Sequence, residues 1–168
     1  MIYPLNNGAV FSITNQAATS TTAAFATTFT GLSLANPTGS GVNLILRRFT
    51  CAQVAAAVAG AVGIMSGSGA SAGSITPTSM YAGSAQTSKA VGSAGSTLGG
   101  TPVLVGAYGT LGSQATTGFG IMPGIVVELE GSIIVPPGKF VASYTTAATT
   151  SALIFGFVWE EVAISGGA

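Results

Sequence analysis

The sequence predicts an all-β protein built as an antiparallel β-sandwich, and three observations carry that expectation. The vocabulary is Gly, Ala, Ser, Thr and Val, with 25 glycines and 7 prolines punctuating 168 residues. Such spacing suits short strands joined by turns and leaves little room for a long helix. Several runs alternate along a period of two, as strands with two different faces do. The intervening segments carry turn chemistry, as at Asn7-Gly8, Asn36-Pro37 and Pro137-Gly138.

In chain order, residues 9–14 (AVFSIT) read as a strand following the Asn7-Gly8 turn. Residues 23–34 are rich in Thr and Phe, which favours a half-buried strand. Residues 36–41 (NPTGSG) are loop, and 42–54 (VNLILRRFTCAQV) form the next strand. Here Val42, Leu44 and Leu46 share one face until Arg48 arrives on it, while Arg47 falls with Ile45, Phe49 and Cys51 on the other. Either a β-bulge resets the register near 46–48 or both faces are covered. The two arginines then mark a sheet edge, a subunit contact or an ordinary exit into solvent. Residues 54–65 continue as a small-residue strand or bent strand pair, and 66–100 is Gly/Ser-rich and low in complexity. That stretch reads as a linker without fixed structure or as long loops ordered by neighbouring subunits. Residues 101–111 form a strand begun by Pro102. In 121–130, Ile125, Val127 and Leu129 oppose Val126, Glu128 and Glu130. Pro137 and Gly138 occupy the second and third positions of a type II turn before the strand KFVASYTT. Residues 152–162 are apolar on both faces: Leu153, Phe155, Phe157 and Trp159 on one, Ile154, Val158 and Val162 on the other. Such a strand is central in a sandwich or lies at an oligomer interface, and Gly156 leaves room for a close neighbour. The result is a single domain, 1–168, of about eight short strands, with a jelly roll as the favoured sandwich.

Composition argues against most chemistry. There is no histidine or aspartate, one cysteine, four basic and four acidic residues, and zero net charge. Acid–base catalysis near neutrality recruits His or a tuned carboxylate pair, and serine hydrolases need a base beside the nucleophile. Lys89 and Lys139 lie near serines, but serine is too common here for that to be informative. The expectation is no enzyme and no cofactor. Zinc needs clustered Cys and His, while Cys51 stands alone. Glu128 and Glu130 on one strand face invite comparison with a weak cation site, but a solvated or ion-paired face is the plainer reading. No metal is expected. Four basic residues set against four acidic ones give no field for phosphates, so no nucleic-acid partner is expected. The least polar run, 54–65, is too short for a membrane span of about 20 residues. No secretory pattern opens the chain, which suggests synthesis in a cytoplasm. GSGASAG in 67–73 lacks the spacing and the following Lys-Ser/Thr of a phosphate loop.

The segments LANPTGSGVNLIL (34–46), EGSIIVPPGKFVA (130–142) and ALIFGFVWEEV (152–162) together resemble small Gly/Ala/Thr-rich structural proteins of tailed bacteriophages. These include jelly-roll capsid decoration (cement) proteins and head-fibre or tail proteins, commonly trimeric. The resemblance implies a virion surface location, a homotrimer and a major capsid protein as partner. It covers about 34–62 and 125–162 and carries no individual functional residue. Glycines inside regular elements cost roughly 0.5–1 kcal/mol each, which independently favours oligomerisation through an obligate interface above about 2,000 Å². Arg47, Arg48, Glu128, Glu130, Lys139, Trp159, Glu160 and Glu161 are the candidate subunit-contact residues. The alternative is a receptor-binding or tail-tip module recognising host glycans, with Tyr81, Tyr108, Phe119, Tyr144 and Trp159 as the available aromatic platforms. Of these Trp159 reads as core, and Tyr81 and Tyr108, in or near loops, as better platforms. A filament, pilin-like or adhesin subunit is a third expectation.

Overall fold

The computed structural model describes residues 9–22, 24–26, 28–69, 74–112 and 124–164. Among them the regular elements are strands: β1 (Val10–Thr14), β2 (Thr19–Thr21), β3 (Thr28–Phe29), β4 (Ser33–Asn36), β5 (Val42–Gln53), β6 (Gly60–Ser68), β7 (Thr78–Ser79), β8 (Val91–Ser93), β9 (Ser96–Thr97), β10 (Val103–Leu111), β11 (Gly124–Glu128), β12 (Ile134–Val135), β13 (Lys139–Thr145) and β14 (Thr149–Ala163). Two antiparallel sheets pack face to face as the expected β-sandwich. The larger runs β11-β5-β14-β1-β7, with β12 also on β5 and β2 on β14; the smaller runs β10-β6-β13-β4-β8. The pairing is nested, because β1 joins β14, β4 joins β13, β5 joins β11 and β6 joins β10. The first half of the chain therefore lies antiparallel along the second half.

Period-two alternation builds the core. The inward face of β14 supplies Leu153, Phe155, Phe157 and Trp159, all fully buried. Leu34, Val62, Ile64 and Val141 meet them from the smaller sheet. Phe49 sits among Phe157, Phe155 and Tyr108 at ring-centre distances of 5.3, 6.3 and 6.4 Å, and Phe11 stacks on Trp159 at 6.0 Å. These separations suit aromatic pairs, which add to the apolar area removed from water.

The register of β5 resolves the Arg47-Arg48 puzzle. Val158 pairs with Arg48 and Trp159 with Leu46, so Arg47 is the extra residue of a bulge. Leu44 and Leu46 point inward before it, and Phe49 and Cys51 point inward after it. One inserted residue reverses the side-chain parity and keeps both halves of a twelve-residue strand facing the core. The partner strand is interrupted opposite the bulge. β11 pairs with Arg48–Ala52 and β12 with Ile45 and Leu44. Between them, the Leu129 and Gly131 amides donate to the carbonyls of Arg47 and Leu46, at 2.7 and 2.8 Å.

The 136–139 turn forms as expected. The Lys139 amide donates to the Pro136 carbonyl at 3.2 Å, and Gly138 has φ 78°. It is, however, a corner between sheets, since β12 belongs to the larger and β13 to the smaller. Gly156 likewise answers a close approach: a Cβ there would lie 2.6 Å from the Thr50 hydroxyl of the paired strand.

Several expectations are corrected. The single strand over 23–34 gives way to β3 and β4, with Phe25 at φ 61° between β2 and β3. Residues 54–65 are not one continuous strand, since 54–59 cross between the sheets before β6 begins. Glu130 does not share a strand face with Glu128; it lies in a turn beyond β11 at φ 50°. The described part of 66–100 packs on its own chain: its first residues end β6, β7 pairs with β1, β8 with β4, and β9 with β3. Leu98 covers Phe140 and Tyr144 on the outer side of β13, so that strand is buried on both faces. Among the described residues no helix is long and apolar enough to cross a membrane.

Two substitutions test this packing. A Cβ on Gly92 would lie 1.6 Å from Ile13 Cδ1, so Gly92→Ala is expected to destabilise the fold by about 1–3 kcal/mol through overpacking. Phe157→Ala, which removes the ring nearest Phe49 from the core, should cost about 3–5 kcal/mol. Urea unfolding followed by tryptophan fluorescence measures both.

Candidate functional site

The few charged groups are mostly consumed within the chain. Arg47 and Glu160 form an ion pair on the outer face of the larger sheet, where Glu160 is buried and the arginine half-buried. Arg48 Nε donates to Glu128 Oε1 at 2.6 Å on the same face, with both side chains about two-fifths exposed. Glu161 holds the loop preceding β8, accepting from the Lys89 amide at 2.9 Å, from the Ser88 hydroxyl and from Trp159 Nε1 at 3.4 Å. Lys139 Nζ donates to the Ser68 hydroxyl at 2.6 Å. Trp159 is wholly enclosed in the core and presents no surface to a neighbour. Of the eight candidate contact residues, the structure thus brings together Arg47 with Glu160, Arg48 with Glu128 and Trp159 with Glu161.

The aromatic platforms separate in the same way. Trp159 is enclosed, Tyr144 is buried against Phe25 at 5.3 Å, and Tyr108 is half-buried against Phe49. Burial pushes the Tyr108 hydroxyl's pKa above its ordinary value. Tyr81 is open, at 56% exposure beside exposed Met80. Phe119 lies outside the described residues.

The surface that stands out includes one of those candidates, Lys139, and otherwise residues that were not among them. The two sheets have different edges on their two sides. On one side the sheets end in β7 and β8, and Ile75, just before β7, bridges to Gly92 of β8. On the other, β10 pairs with β6 and β12 with β5, and neither is paired with the other. Between them lies a groove of about 420 Å³ lined by Val103, Val105, Ile133, Ile134, Pro136 and Phe140, with Ser66, Ser68 and Lys139 at its polar margin. Val103 is 61% exposed and Ile134 56%, while neighbouring Val126 reaches 65%. The available sequence signal was the unbroken triplet Val103-Leu104-Val105, where alternation should have placed a polar residue.

No carboxylate lines this groove, and its one basic group, Lys139, donates to the Ser68 hydroxyl at 2.6 Å. Among the described residues no three His, Cys, Asp or Glu side chains gather as metal ligands. Cys51 is buried, and desolvation pushes its thiol from 9.0 to about 12. Comparison with protein-family models, curated proteins and solved structures finds no match to this chain.

The charge and thiol environments give two expectations. Glu128→Ala should cost less than about 1 kcal/mol, because water screens its pair with Arg48; Glu160→Ala, which strands a half-buried arginine, should cost more. Thermal denaturation of the two variants ranks them. For Cys51, both folded and unfolded thiols are neutral below pH 9, so the shift leaves stability unchanged there. Between about 9 and about 12 the unfolded chain loses its proton first, and stability falls with rising pH by up to about 1.4 kcal/mol per unit. Cys51→Ala should flatten that alkaline slope in urea titrations at pH 8 and pH 10.5.

Proposed function

We propose that this chain is a non-catalytic structural subunit that assembles with itself on a virion surface. In this reading it is a capsid decoration protein, a homotrimer bridging neighbouring copies of a major capsid protein and strengthening the head. The observation that carries the reading is the strand order. The orders β1-β14-β5-β11 and β4-β13-β6-β10, nested about the middle of the chain, are those of a hairpin rolled up on itself. On that basis we assign the sandwich to the jelly rolls, which recur in viral capsid and lectin domains. The step from that fold to a virion role is analogy, since one fold hosts many functions. Internal use of the ion pairs and the apolar groove support an assembly role over a chemical one.

Host-glycan recognition is the second reading, and exposed Tyr81 beside Met80 is the observation in its favour. The lectin use of the same fold class is compatible with it.

Cryo-electron microscopy of the source particle tests the first reading: density for this sandwich on the head lattice is expected. Its absence from the head, together with reproducible hits on a glycan array that vanish in Tyr81→Ala, would establish the second instead.

A further inference from the structure

We propose that Glu161 is a latch on the strap 81–90. Its carboxylate fastens that strap to the sandwich, and its release opens Lys89–Ala90 to an endopeptidase specific for basic residues. The inference needs only one chain and does not depend on the assembly reading.

The strap is held at its two ends. At its start, the Met80 amide donates to the Val10 carbonyl at 2.8 Å. Over 81–87, the hydrogen bonds among the described residues are local. The Tyr81 amide donates to the Ser79 hydroxyl, the Ser84 amide to the Tyr81 carbonyl and the Gln86 amide to the Ser84 hydroxyl. Apart from Ser84, residues 81–87 are all exposed. At the far end the Lys89 amide donates to both Glu161 oxygens, at 2.9 and 3.2 Å. The Ala90 amide donates to the same carboxylate at 3.4 Å, and the Ser88 hydroxyl joins them. Trp159 Nε1, from the core, donates to it as well at 3.4 Å, which ties the strap to β14. Hydrogen bonds to a charged acceptor are stronger than neutral ones. Because one group collects them all, its release frees two amides and a hydroxyl together, and the strap opens as a unit. The buried methyl of Ala90 marks where the chain rejoins the sandwich.

Lys89 is the basic residue that such opening exposes. Arg47 and Arg48 lie in β5, flanked by β14 on one side and by β11 and β12 on the other, and Lys139 opens β13 between β6 and β4. Lys89 lies outside any strand with its side chain exposed. Exposed loops are where folded chains are nicked, and the rate follows the population of the opened form. Hydrolysis adds water across the Lys89–Ala90 amide, leaving a carboxylate on Lys89 and an amine on Ala90. The product stays assembled, because β5 with β14 and β4 and β6 with β13 join residues before the cut to residues after it. What the nick frees is the start of β8, a three-residue strand at the end of its sheet.

Limited trypsin digestion of the full chain, read by mass spectrometry, compares the wild type with Glu161→Gln, and with Glu128→Gln as a control remote from the strap. Glu161→Gln keeps the side chain's size and removes its charge and one acceptor oxygen. It should raise cleavage after Lys89 at least about tenfold, as losing a hydrogen bond to a charged acceptor does. Cleavage after Arg47, Arg48 and Lys139 should stay at the wild-type rate, and the control should leave all four rates unchanged. Fragments 1–89 and 90–168 should co-elute in gel filtration until urea is added. A rise at all four basic residues together would mean general destabilisation and overturn the latch, as would an unchanged rate at Lys89. Fragments that separate without denaturant would overturn the nicked chain's staying assembled. Should Glu161→Gln fail to fold, hydrogen exchange on the wild type replaces it. The Lys89 and Ala90 amides should exchange together, at least about 100-fold faster than those of β5 and β14. Equal protection in the strap and in those strands would overturn the latch.

Discussion

The β5–β14 ladder organises this molecule, and the bulge at Arg47 makes that ladder possible. These are the two longest strands, and together they supply most of the aromatic and aliphatic wall of the core. In a regular ladder, Leu44 and Leu46 could not face the same side as Phe49 and Cys51. The extra residue lets them, and its side chain is sent outward to pair with Glu160. The same irregularity divides the neighbouring strand into β11 and β12, joined by a loop whose amides return to Leu46 and Arg47. One inserted residue thereby shapes both the large sheet and one wall of the groove.

Polar groups serve a similar internal economy. Glu161 is committed to Ser88, Lys89 and Trp159, and thereby anchors the segment that leads into edge strand β8. Asn15 donates to the Leu153 carbonyl at 3.0 Å and accepts from the Phe155 amide at 2.6 Å, securing the exit of β1 against β14. Charged and amide side chains that a surface-coat reading would spread into water instead hold strands and loops in register. What remains outward on the β10/β12 side is mainly apolar.

Much of the architecture was legible in the residues. The inward set Leu153, Phe155, Phe157 and Trp159 follows from period-two alternation, because a strand has only two faces. The bulge was legible as a conflict of parity at Arg47-Arg48, and the 136–139 turn as Pro-Gly chemistry. The candidate site was far less legible. Charge drew notice to Arg47, Glu160 and Glu161, yet charged groups scarce enough to be conspicuous were also the ones enlisted for internal pairing. The groove residues are ordinary valines and isoleucines, and no local pattern distinguishes a core-facing valine from one on an open edge.

Local rules therefore settled strand identity, turn type and the need for a register correction, since each depends on a few adjacent residues and the geometry of one strand. Partner choice between strands belonged to the tertiary structure. Whether Pro136–Lys139 closes a hairpin or turns a corner is decided by which sheet has a vacant edge for β13. Whether the Gly/Ser-rich stretch is linker or cover is decided by the unpaired flanks of β1 and β4, dozens of residues away. Which strands end each sheet is settled by that long-range competition for hydrogen-bonding partners, which no window along the chain contains.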